Sequence, residues 1–190
     1  MRKIAIIVGH SQKGTFCEAL GTAYRDGARG AGYEARMYVL SKMLFDPILY
    51  EGFAIVQPLE PELRAAHDAI LNADHLVFVF PLWLGDMPAI LKGFLERVLQ
   101  PDLVEPARKG KFAMLLRGKS ARIIVTMGMP GLVYRWYFGA HAVKLFKRNI
   151  LGFLGVSPVR PTVIGNMAGM SEDDRKAWIA KAEVWGRAAV

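Results

Sequence analysis

The chain has 190 residues, 53% hydrophobic and 22% charged, a balance that excludes a disordered chain and suits one domain built on one core. Its single cysteine leaves no disulfide framework and fits a reducing compartment. The net charge of +8 is unevenly placed: between Pro106 and Ser171 there are 11 Lys and Arg and no Asp or Glu, while the rest carries 14 basic against 17 acidic residues.

Met1-Arg2-Lys3 has the charge of a secretion signal, but the apolar run Ile4–Val8 behind it is far too short for one. Apolar at consecutive positions, that run reads as a strand buried on both faces. Thr15 and Glu18 form a capping box for a helix with Phe16, Leu20, Ala23 and Gly27 at helical spacing, ended by Gly30 and Gly32. A second strand is predicted at Arg36–Leu40, a helix from Glu60-Pro61 to about Ala73, a third strand at His75–Phe80 and a helix from Pro88 to about Leu99. Asp102–Lys119 is expected to be a basic excursion holding the apolar piece Phe112–Leu116. Strands at Arg122–Thr126 and Val159–Ile164 flank a helix predicted over Tyr137–Leu151. Ser171 with Asp174 caps a last helix with Trp178, Ala182, Trp185 and Ala189 on one side. The longest apolar run, Leu76–Leu84, is broken by Pro81 and too short to cross a bilayer. A soluble, cytoplasmic, single-domain protein over residues 1–190 is expected.

Strand–helix alternation throughout predicts an α/β fold, a three-layer doubly wound sandwich. Five strands in this length point to the flavodoxin-like sheet, all parallel, in the order 2-1-3-4-5. Ligands of such sheets sit beyond the carboxyl ends of the strands. The segments after the first, third and fourth strands are therefore the candidate site.

The first segment, Gly9–Thr15, feeds a helix N-terminus, where free amides and the positive helix end suit an anion and Ser11 and Thr15 add hydroxyls. It is neither a Walker loop nor a Gly-x-Gly-x-x-Gly fingerprint. A plain capped β–α turn is the other reading. The second segment, Phe80–Pro88, is an aromatic and aliphatic turn at the ligand edge, fit to wrap a flat ring or to cover the core or a subunit contact. The third is Thr126–Gly131, followed by Tyr134, Trp136, Tyr137 and His141. Its glycines allow close backbone approach, and Tyr134 and His141, seven apart, either project together or are half-buried amphipathic residues. The acid-free stretch either gathers anions or is a solvated basic surface. No nucleic-acid motif accompanies it, and no metal site is expected.

Phe80-Pro81-Leu82 with Pro88–Gly93 and Glu96-Arg97-Val98 closely resembles the central motif of the flavodoxin-like NAD(P)H:quinone oxidoreductases. Gly9-His10-Ser11 with Thr15-Phe16, the turn Thr126–Met129 and the run Asn149–Gly155 resemble three further segments of that family, in register along essentially the whole chain. The resemblance implies a flavin, FMN or FAD, that takes hydride from NAD(P)H and passes two electrons to a quinone-like oxidant. It places Pro81, Leu82, Trp83, Leu84 and Gly85 along the flavin ring edge and Thr126, Met127, Gly128 and Met129 at its pyrimidine end. His10, Ser11, Thr15 and Phe16 fall at the ribityl and phosphate, with Cys17 where FAD-binding members have Asn. Tyr134 matches a tyrosine that accommodates the reduced ring's charge, and His141 falls one position past the corresponding histidine, where Ala140 sits. The resemblance also implies a homodimer, for which Met87, Trp136, Phe138 and Phe153 are candidate contacts. Alternative functions are an azo- or nitro-compound reductase, a flavoprotein subunit regulating a transporter, with the basic region meeting an acidic partner, or a one-electron flavodoxin. The basic stretch predicts NADPH over NADH, through Arg135 or the loop Arg117-Gly118-Lys119.

Overall fold

The computed structural model describes residues 1–101 and 114–190. Five parallel strands, β1 (Lys3–Val8), β2 (Glu34–Val39), β3 (His75–Pro81), β4 (Ser120–Thr126) and β5 (Val159–Ile164), form one sheet in the order β2-β1-β3-β4-β5. The expected fold class and strand order are those observed. β2 begins two residues before its predicted start, because Glu34 pairs with Lys3 at the head of β1, and β4 likewise starts at Ser120, opposite His75. The predicted excursion Asp102–Lys119 lies largely outside the described residues.

Side chains alternate across the pleat, so the central strands feed two cores. Ala5, Ile7, Phe78, Phe80, Ile123 and Val125 face helices α2 (Pro61–Asn72) and α3 (Ala89–Val98). Ile4, Ile6, Val8, Val77, Val79 and Ile124 face α1 (Phe16–Gly30) and the last helix. α1 starts where the sequence places it: the Thr15 hydroxyl accepts the Glu18 N–H, whereas Glu18 reaches back one residue further, to the Gly14 N–H at 2.9 Å.

The helix predicted over Tyr137–Leu151 is broken. Short helices α4 (Gly131–Trp136) and α5 (His141–Leu145) are separated by Gly139 and Ala140, both in the left-handed region at φ 62° and 50°, and a π-helical turn follows over Phe146–Gly152. Two adjacent left-handed residues cannot continue an α-helix. The final helix, α6 (Glu172–Ala188), is capped by Ser171, whose hydroxyl accepts the Asp174 N–H at 3.1 Å. It packs on α1 through glycines: a Cβ on Gly27 would stand 2.1 Å from the Glu183 carbonyl oxygen, and one on Gly186 2.0 Å from that of Tyr24. The long connection from β2 to α2 is held down by buried Arg97, which donates to the Asp46 and Pro58 carbonyls and to Glu60. Among the described residues no helix is long and apolar enough to cross a membrane.

Candidate flavin site

At the carboxyl edge of the sheet, the loops after β1, β3 and β4 meet in a cleft of about 240 Å³. It is lined by His10, Thr15, Phe16, Cys17, Pro81, Leu82, Trp83, Thr126, Met127 and Gly128, with Met167 from the turn after β5. Ten of the predicted residues are thus brought together. The others, Ser11, Leu84, Gly85, Met129, Tyr134 and His141, lie outside this lining. Met167 was not foreseen. The turn pair Gly165-Asn166 ahead of it was a usable signal, because β5 ends at the same edge as its neighbours.

In the first loop the Gln12 N–H donates to His10 Nδ1 at 3.0 Å, so the other ring nitrogen, Nε2, carries the proton of the neutral ring. Burial lowers the His10 pKa, and the ring stays a neutral donor at pH 7. It meets Trp83 edge-on, the centroids 5.0 Å apart, which joins the first loop to the second. The amides of Phe16 and Cys17, first in α1, have no intrahelical acceptor and carry the helix's positive end. The carboxylate nearest this loop, Glu18, is paired with Lys42 and has its pKa lowered chiefly by that contact, which leaves it little net repulsion toward an anion.

Cys17 is not the activated thiol that a helix N-terminus alone would produce. It is buried, its Sγ lies 3.3 Å from Thr126 Oγ1, and burial pushes its pKa up to about 11. The thiol is a neutral tie between the start of α1 and the end of β4.

The second loop makes a tight hairpin. The Trp83 N–H donates to the Asp86 carbonyl at 2.9 Å and the Asp86 N–H to Trp83 at 3.0 Å, with Leu84 at φ 48° and Gly85 at φ 85° between them. Two left-handed central residues define a type I′ turn, for which Asn-Gly is the favoured pair. A leucine there costs about 1–2 kcal/mol in backbone strain. Leu84 is also fully exposed, so no burial offsets that cost. Strain on an exposed apolar residue beside the cleft makes this hairpin a candidate binding edge. In the third loop Gly128 is exposed, and a Cβ there would meet nothing within 4 Å. A flat ring can therefore approach its backbone.

Tyr134 and His141 do not project together. Tyr134 is buried on α4, its hydroxyl accepting the Val143 N–H at 3.3 Å across the 139–140 break, and burial raises its pKa. His141 is exposed at the start of α5, where its ring covers Gly139. Seven residues of spacing align two side chains only on continuous helix, and this one is interrupted. The loop Arg117–Lys119 is corrected as well. It precedes β4, at the opposite edge of the sheet and roughly 20 Å away over seven residues of strand. The Lys119 ammonium is taken up by the Leu71 and Ala73 carbonyls at 2.6 Å.

The sequence profile of the flavodoxin-like fold matches residues 2–187. The chain belongs to the flavodoxin-like fold family. Among its relatives, rat NAD(P)H dehydrogenase [quinone] 1 is 25% identical over 97% of this chain and 78% of its own length. FMN-dependent NADH:quinone oxidoreductase 2 of Bacillus cereus is 28% identical over 67% of this chain and 60% of its own. Of solved structures, Smu.1420 of Streptococcus mutans superposes with a TM-score of 0.80 at 29% identity, covering 98% of this chain and 99% of the other. For a flavodoxin-like protein the residues present fit a flavin. The α1 start offers amides and the Thr15 hydroxyl to a phosphate, and Trp83, Leu82 and Met127 make an apolar slot ending on open glycine backbone.

Proposed function

We propose that this protein is a flavin-dependent NAD(P)H dehydrogenase that holds FMN in the carboxyl-edge cleft and reduces a quinone or similar diffusible oxidant. One observation carries the reading: a single cleft joins an anion-binding helix start to an apolar, aromatic slot with exposed backbone. When bound, the flavin supplies the two-electron chemistry, taking hydride from the nicotinamide and passing electrons on.

The chain's residues do the positioning. Thr15 with the Phe16 and Cys17 amides holds the phosphate, and the Leu84-Gly85 amides at the exposed hairpin address the ring edge. Trp83, propped by His10, walls the slot and excludes water beside it. The neutral His10 offers Nε2–H as a hydrogen-bond donor. Tyr134 accepts the Val143 amide and so keeps its own proton to donate. His141, exposed at the start of α5 and outside the cleft lining, takes no part in this positioning.

The protein is expected to work in a reducing cytoplasm as a homodimer. Trp136, Phe138 and Phe153, 85%, 48% and 51% exposed, are its candidate contacts, but Met87 is buried within the chain and drops from that set. Light scattering at micromolar concentration checks the assembly, and a fully active monomer refutes it.

For the activity, purified protein should be yellow, should release FMN by mass on denaturation, and should bleach anaerobically with NAD(P)H and recolour with quinone. A colourless protein that takes up neither FMN nor FAD refutes the reading.

A further inference from the structure

Beside the cleft lies a second hollow of about 410 Å³, at the carboxyl end of β5. The two spaces stand back to back. Gly128 and Met167 line the cleft, whereas Pro130 and Asn166 line the hollow, one or two residues along the same two turns. These turns are locked together, the Asn166 N–H donating to the Met129 carbonyl at 3.0 Å and the Met167 N–H to that of Met127 at 3.1 Å. The two turns touch backbone to backbone: a Cβ on Gly165 would stand 2.5 Å from the Gly131 nitrogen and 2.7 Å from the Met129 carbonyl oxygen.

Arg135 is the one charged residue of the hollow's lining; Pro130, Gly131, Leu132, Val163, Gly165 and Asn166 are neutral. Its guanidinium is exposed and, among the described residues, has no hydrogen-bond or ion-pair partner. The surrounding sequence from Pro106 to Ser171 supplies no carboxylate to claim it. An unpaired guanidinium in an otherwise neutral, roomy hollow is suited to a phosphate, which it can grip with two parallel N–H bonds.

We infer that this hollow receives the 2′-phosphoribose end of the hydride donor, and that Arg135 thereby sets a preference for NADPH over NADH. The inference rests on the proposed function, which puts the nicotinamide over the adjoining cleft. Gly128 and Pro130 are within about 8 Å along the chain, so a bound dinucleotide passes over the Met129 turn from one space to the other. NADPH and NADH differ only in the phosphate that Arg135 would contact.

Steady-state kinetics with both nicotinamides, and calorimetry with adenosine 2′,5′-bisphosphate against adenosine 5′-monophosphate, test this on the flavin-loaded protein. Wild type is expected to favour NADPH ~10-fold in kcat/KM and to bind the bisphosphate ~10-fold tighter, about 1.4 kcal/mol. In Arg135→Ala both ratios should fall to near one, and in Arg135→Lys they should be kept in part. Equal ratios in wild type overturn the site, and ratios that persist in Arg135→Ala overturn the residue. If NADH reduces the flavin without any preference, this inference fails and the proposed function stands. If neither nicotinamide reduces it, the proposed function fails.

Discussion

Near the amino-terminal edge of the sheet several polar side chains are buried and bonded within the fold. His75 Nδ1 lies 2.7 Å from Ser120 Oγ and its ring stacks on Tyr24. Arg122 donates to Thr162 Oγ1 at 3.0 Å and to the Val190 carbonyl, and lies over the Trp185 ring at 4.2 Å. At the carboxyl-terminal edge the opposite holds: Leu84 is strained and exposed, Gly128 faces open space, and the first amides of α1 lack helical acceptors. The same five strands thus end in a fastened edge and an unfastened one. Hydrogen-bonding capacity is largely spent on the fold at the first and left open at the second.

The largest expected effect breaks the fastened edge. Arg122→Met removes the guanidinium's bonds and leaves its partners unpaired, and should lower stability by about 3 kcal/mol by denaturant titration. Flavin content per folded molecule should match wild type; loss of flavin ahead of stability would contradict the separation of the two edges.

Acid titration comes next. Burial, with Arg2, Arg122 and Arg160 nearby, lowers the His75 pKa from 6.5 to about 3, and its Nε2 is buried without a partner. The unfolded chain therefore binds the proton first as pH falls. The stability His75 contributes is complete above about pH 6.5 and is lost below it at about 1.4 kcal/mol per pH unit. His75→Phe should remove that slope between pH 6.5 and 4, and an unchanged slope would rule the mechanism out.

The unfastened edge responds in the other direction. Leu84→Asn places Asn-Gly in the I′ turn and should raise stability by ~1 kcal/mol. A loss of stability would show that the leucine is not strained. Smallest in energy is the thiol: with its pKa at about 11 against an ordinary 9.0, Cys17 should form roughly 100-fold less thiolate at pH 8. Native protein should accordingly resist iodoacetamide until it is unfolded.

The contrast between the edges also explains what the sequence could convey. The consecutive apolar runs of β1 and β3 and the capping pairs Thr15-Glu18 and Ser171-Asp174 act locally, and their elements lie where pattern places them. The three candidate loops were legible because parallel topology alone fixes which ends converge. The break at Gly139-Ala140 was not, since only the Gly has a conformational signature and an alanine at φ 50° has none in sequence. That single miss separated Tyr134 from His141. The burial of Cys17 against Thr126 joins the start of α1 to the end of β4, and no local pattern encodes it. The position of Lys119 was recoverable from strand direction alone.

Finally, the glycine contact between α1 and α6 bears on how the molecule is made. Its two partners come from opposite ends of the described chain, so almost the whole length must be synthesised before they can meet, a contact of high sequence separation and hence a slow one. Until it forms, one flank of α1 is uncovered, while the helix start rests on the sheet through the Cys17–Thr126 contact. The anion loop is the earliest part of the site to leave the ribosome, and the final helix that completes the packing of α1 behind it is the last.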